Sequence, residues 1–169
     1  AGIIDSYNSQ RVGSAAVCLG ISQGALEHAV AFSKSRHQFG RPIAEFQGLQ
    51  WMMADMQVIV NAMRNFVYQA ARSSVRTKAG FPEPLLAAQA KLYGSEMSKK
   101  VAHDALQIHG AEGYSRDRPL ERLYRETRMF SIGGGTAQIL RNTVASEVLG
   151  QRLPQTRDGY TKLAARSVA

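Results

Sequence analysis

The sequence predicts an all-α chain folded as an up-down bundle of four long antiparallel helices. Three observations carry that expectation. Apolar residues recur at i, i+3 and i+4 through long stretches. The segments FGRPI and AGFPEP interrupt them with proline and glycine. Nowhere do Val, Ile and Thr alternate with polar residues, so no strand is expected.

The first helix is predicted over 3–35, with Val12, Ala16, Leu19, Ala25, Ala29 and Phe32 close to one stripe. Gly13, Gly20 and Gly24 lie inside it and would permit close helix approach. Beyond the break at Pro42, a second helix is predicted over 46–78, with Met52, Met56, Ile59, Met63, Phe66 and Ala70 inward. Beyond Pro82, a third over 83–109 turns Ala88, Leu92, Met97 and Ala105 inward. Pro119 suits the first turn of a short helix through Arg128. A final helix over 136–149 is closed by Gly150. Residues 1–150 read as one domain and 151–169 as a tail containing at most a short helix, with TKLAARSVA frayed.

The chain has 169 residues, enough for one domain with a real core. Its net charge of +8 is scattered. Without a run of like charges, nucleic-acid binding is not expected, and anionic small molecules or an acidic partner fit better. Cys18 is the single cysteine, so no intrachain disulfide can form, and AAVCLGI marks it as a core thiol. No uninterrupted apolar run approaches the ~18 residues of a spanning helix. The first residues do not resemble a signal peptide. A reducing cytoplasm, or a mitochondrial matrix in a eukaryote, is the expected location.

Polar residues gather in the breaks. Arg36, Gln38 and Gln47 place a guanidinium and two amides around one turn, which suits either capping of a helix end or an anion. Gly110 closes the third helix as a C-cap, or leaves bare backbone for a flat ligand beside Gln107. His109 has no second ligand at metal spacing, so no metal is expected. GGGT at 133–136 offers backbone N–H groups before a helix, but it lacks the lysine and preceding strand of a P-loop. Thr136 reads as an N-cap.

In their order, these stretches resemble the C-terminal helical domain of the acyl-CoA dehydrogenase family. The segments are QRVGSAAVCLGISQGALEHAVAFSKSRHQFGRPIAEFQGLQWMMADM, QIHGAEGYSRDRPLERLYRETR and GGGTAQILRNTVASEVLG, and the match covers about 3–150. The resemblance implies FAD, an acyl-CoA thioester, and a homo-oligomer built as a dimer of dimers. It also implies an electron-transfer flavoprotein as redox partner. In such proteins an N-terminal helical domain and a middle β domain precede this one, so the chain by itself is expected to bind FAD weakly and to be inactive. By resemblance, Arg36 and Gln38 contact a neighbouring subunit's FAD, Arg36 at the pyrophosphate, and Gln47 belongs to the same turn. Gln107 and the backbone of Ile108, His109, Gly110 and Ala111 line the adenosine half, which Thr136 and Gln138 complete. Ala111 stands where a second glycine is common. Asn8, Ser9, Gln10 and Arg11 correspond to the segment that touches acyl-CoA, and Gly134 faces the substrate.

The resemblance also exposes a gap. The glutamate that removes the α-proton in dehydrogenases stands at the position of Gly134 in many relatives. In other branches it stands immediately before the arginine matched by Arg11. Here those positions hold glycine and Gln10, and neither side chain can serve as a base. The leading expectation is an FAD-dependent acyl-CoA oxidoreductase domain. The alternatives are a base-free lyase such as a sulfinopropionyl-CoA desulfinase, and a non-catalytic subunit of a hetero-oligomer.

Overall fold

The computed structural model describes residues 2–151, together with 154 and 159. The expected helical tail lies outside the described residues. Among the described residues six helices are delimited: α1 (Gly2–Ser35), α2 (Gln47–Ser73), α3 (Pro84–His109), the one-turn α4 (Ala111–Tyr114), α5 (Leu120–Phe130) and α6 (Ala137–Val148). The all-α expectation holds. Helix α2 stops earlier than predicted, because residues Ser74–Arg76 tighten into a 3₁₀ turn. A small strand pair was not foreseen: β1 (His37–Gln38) pairs antiparallel with β2 (Arg41–Pro42). Phe39 and Gly40 turn the chain with positive φ of 53° and 78°. Two-residue strands carry no alternation to detect.

Side-chain contacts fix the helix directions. Ser33 donates to Met53 Sδ and Arg64 donates to Gln23, so α2 runs back along α1. Phe66 packs on Tyr93, and Glu83 N donates to Ser73 Oγ, so α3 reverses again. His103 meets Tyr124 as α5 descends α3. Arg141 then reaches Glu96 while Gly133 and Gly135 sit at Lys91, so α6 climbs parallel to α3. The antiparallel neighbour of α3 on this side is therefore the short α5, not the last helix as the four-helix expectation had it.

The buried stripe of α1 differs from the predicted one. Val12, Ala15, Cys18, Ala25, Leu26 and Ala29 are buried along with Asn8, Ser22 and Ser33, whereas Ala16 is exposed. The serines satisfy themselves locally: Ser22 donates to Cys18 O and Ser33 to Val30 O. Polar residues on the inward face masked the true register. By length and composition α1 could also cross a membrane, although it contains no uninterrupted apolar run of that length. Packing against α2 and α3 buries 33% of that stretch.

The close approach of α1 to α3 comes from α3. A Cβ on Gly94 would stand 3.5 Å from Ala15 Cα, whereas Gly13, Gly20 and Gly24 have nothing within 4 Å. Gly113 is tighter: a Cβ there would meet Leu106 O at 2.6 Å and His109 Cβ at 2.9 Å. Gly113→Ala is expected to cost about 2 kcal/mol through forced backbone movement. Denaturant unfolding measures this, and an alanine variant of parental stability would show that α4 yields freely.

Candidate functional site

The expected site residues fall into two groups at opposite ends of the bundle. At the first end, near the start of α1, Gln10 and Gly134 meet. Gly134 has φ +68°, and the three nearest atoms to a Cβ built on it all belong to the Gln10 side chain, at 3.6–3.7 Å. The two positions where dehydrogenases keep their glutamate are thus one place in space. It presents an amide and a bare backbone, and neither residue supplies a carboxylate. Ser9 lies exposed beside Gln10 on another face of α1.

Beneath this place lies a lysine that no sequence motif had singled out. Lys91 is 1% exposed, and its Nζ donates to Gly133 O at 2.6 Å and to Gly135 O at 2.5 Å. Those carbonyls flank Gly134, so one ammonium holds the loop in its positive-φ path. Gly135 follows with φ +93°, and Thr136 then caps α6, its hydroxyl accepting from Ile139 N at 3.3 Å. The N-cap reading of Thr136 is correct. The only sequence signal for Lys91 was a lysine among alanines at inward helical spacing.

Burial lowers the Lys91 pKa, as does the nearby Arg11, against the opposing influence of Cys18. Burial pushes the Cys18 thiol up to about 11, so it stays protonated as a core group. Arg11 donates from its NH1 to the buried Asn8 Oδ1 at 3.1 Å, while its Nε is buried without a partner. Two cations therefore lie close together behind Gln10. Among the described residues no carboxylate pairs with either of them, an arrangement that favours an anionic ligand group.

The second end holds Arg36, Gln38, Gln47 and 107–111. Arg36 leaves the end of α1, and its carbonyl accepts from Ile43 N at 2.8 Å, which folds the β1–β2 hairpin back. Its guanidinium lies 3.8 Å from Glu112, which Arg118 holds more closely at 2.8 Å. Gln38, Gln47 and Gln107 are exposed. Gly110 takes φ +57° and donates its N–H to Gln107 O, closing α3. The His109 ring stacks on Phe32 at 4.2 Å and its Nδ1 lies 2.8 Å from Ala105 O. No metal cluster occurs among the described residues.

Thr136 and Gln138 do not join this group. They follow the loop at Lys91, and Gln107 lies further along the same helix α3, roughly 24 Å away at 1.5 Å per residue. Within one chain they cannot complete a ligand contact begun by Gln107. Helix directions, invisible in the sequence, make that separation.

Burial holds the His109 imidazole below its ordinary 6.5, against its hydrogen bond to Ala105 O. The unfolded chain therefore takes the proton first, and stability should fall as pH drops below about 6.5 towards the folded value. Thermal unfolding between about pH 8 and 5 should show a shallower acid loss in His109→Phe than in the parent. Equal slopes would contradict this assignment.

The helical directions, the Gln-x-x-Gly turn after α3 and the glycine loop before α6 describe one kind of domain. The chain belongs to the acyl-CoA dehydrogenase family: the model of that family's C-terminal domain matches residues 3–149. A 3-sulfinopropanoyl-CoA desulfinase of Paraburkholderia xenovorans is 57% identical over 93% of this chain and 39% of its own length. A protein of the same name from Variovorax paradoxus is 54% identical over 98% of this chain and 41% of its own. The solved butyryl-CoA dehydrogenase of Megasphaera elsdenii superposes with TM-score 0.80 at 36% identity, over 85% of this chain and 37% of that one. The chain thus spans about two-fifths of the length of these relatives.

Proposed function

We propose that this chain is the C-terminal part of a flavin-containing acyl-CoA lyase that removes a sulfinate group from 3-sulfinopropanoyl-CoA without a carboxylate base. One observation carries the reading: Gln10 and Gly134 fill a single place, and neither offers a carboxylate. The relatives named as desulfinases, 52–57% identical, support it independently. Dehydrogenation has to remove an α-proton, and an amide does not accept one at neutral pH. Desulfination exchanges a carbon–sulfur bond for a carbon–hydrogen bond. Water supplies the proton and the third oxygen of sulfite, so no net electrons move. Gln10 can donate an N–H to the thioester side of the substrate and accept through its carbonyl. Arg11 and Lys91 raise the positive potential behind it, which suits an anionic substrate.

The residues fit FAD at the hairpin end. Arg36 and Gln38 form an exposed donor set, the nearest carboxylate to Arg36 lies beyond hydrogen-bond length, and Gly110 bares the backbone beside Gln107. Arg36 would hold the pyrophosphate bidentately, and 107–111 would bear on the adenosine. When bound, FAD supplies the family's hydride-accepting ring, for which desulfination has no net use. Because that end stands so far from Gln10, the two ends of one chain serve different flavins, and the whole enzyme is a homo-oligomer. An electron-transfer flavoprotein is a partner only for dehydrogenation.

The full-length protein should release sulfite from 3-sulfinopropanoyl-CoA with no electron acceptor present. It should reduce no artificial acceptor with saturated acyl-CoAs. Acceptor reduction without sulfite release would place it among the dehydrogenases, and neither activity would leave it the supporting subunit.

A further inference from the structure

Glu112 addresses two arginines with its two carboxylate oxygens. Its Oε2 accepts from Arg118 Nη2 at 2.8 Å, a hydrogen-bonded ion pair. Its Oε1 stands 3.8 Å from Arg36 Nη1, beyond hydrogen-bond length. The backbone of Glu112 has little room to shift towards either. The next residue, Gly113, lies so close to α3 that a Cβ on it would meet Leu106 O at 2.6 Å. The carboxylate therefore swings about a fixed point, and the two arginines set where it rests.

Arg118 is held in place by more than this one hydrogen bond. Its backbone N–H donates to Ser115 O, so the turn between α4 and α5 brings it back upon Glu112. Its guanidinium carbon lies 5.9 Å from the centroid of the Phe32 ring, within cation–π reach, and Phe32 in turn stacks on His109. Arg36 has no such anchor: Glu112 is its only ion-pair partner among the described residues. Two guanidiniums and one carboxylate leave one positive charge over, and the distances assign it to Arg36.

We propose that Arg118 is a positioning residue for the cofactor: by drawing Glu112 to itself it keeps the Arg36 guanidinium open for the pyrophosphate. This rests on the reading above that Arg36 serves that pyrophosphate. Arg118 acts through Glu112 and needs no contact of its own with the ligand. Without Arg118 the carboxylate has one cation left to turn to. It closes on Arg36 and occupies the fork that would otherwise take two phosphate oxygens. With the carboxylate also neutralised, Arg36 is open again.

Release of FAD from the full-length holoenzyme, followed as recovery of flavin fluorescence on dilution at low ionic strength, tests it. Arg118→Gln should release FAD about three- to fivefold faster, the range of an exposed ion pair. Glu112→Gln should release it no faster than the parent. The double variant Glu112→Gln/Arg118→Gln should return to the parental rate, because the competing carboxylate is gone. A parental rate in Arg118→Gln overturns the proposal. So does a double variant as fast as Arg118→Gln, which would mean that Arg118 acts by its charge alone or by holding the turn. Arg36→Gln separates this proposal from the reading beneath it. Unchanged release in Arg36→Gln overturns both, whereas faster release there with a parental rate in Arg118→Gln overturns this proposal alone.

Discussion

Gln10→Glu in the full-length protein is expected to create acyl-CoA dehydrogenation. The substitution changes an amide to a carboxylate with no change of shape, on an exposed helical position that bears on Gly134. Positioned general bases contribute roughly 10²–10⁴-fold. Acceptor-dependent oxidation of a saturated acyl-CoA should therefore rise by that order, while sulfite release falls or stays level. Gly134→Glu should do far less. Its φ of +68° disfavours any side chain by on the order of 1 kcal/mol or more, even though the new Cβ would lie at ordinary contact distance from the Gln10 amide. If Gly134→Glu outperformed Gln10→Glu, the loop at Gly134 would not hold the backbone conformation that sets it against Gln10.

Lys91→Met should be the most damaging single change to the loop. Methionine fills a similar volume but leaves Gly133 O and Gly135 O without their donor. Hydrogen bonds from a charged donor contribute roughly 1.5–3 kcal/mol each, offset in part by no longer burying a cation. A net loss of about 2–4 kcal/mol is expected by denaturant unfolding. Catalysis should fall further than stability does, because Gly134 would lose its fixed place beside Gln10. A variant as stable as the parent would show that water serves those carbonyls equally well.

The long helices were legible because breaks at Pro42 and Pro82 cut strong periodic patterns. The register of α1 was not, because Asn8, Ser22 and Ser33 stand on its inward face and satisfy their polar groups locally or against a neighbour. Gln10 and Gly134 could be matched to the two base positions one at a time. Their coincidence in space depends on α6 climbing α3 from Lys91, and no local pattern records that. Lys91 stayed hidden for a related reason: its partners are backbone carbonyls, which carry no residue identity. The separation of Thr136 and Gln138 from Gln107 likewise follows from helix direction alone.

The central claim is that no base stands at the substrate's α-carbon. Exchange of the α-protons of a saturated acyl-CoA with deuterated water, followed by NMR on the full-length protein, reads that base directly and needs no electron acceptor. The expected result is no exchange above the uncatalysed background in the parent, and exchange appearing in Gln10→Glu. Exchange in the parent at a rate matching the variant would contradict the claim and place the base on a residue outside Gln10 and Gly134.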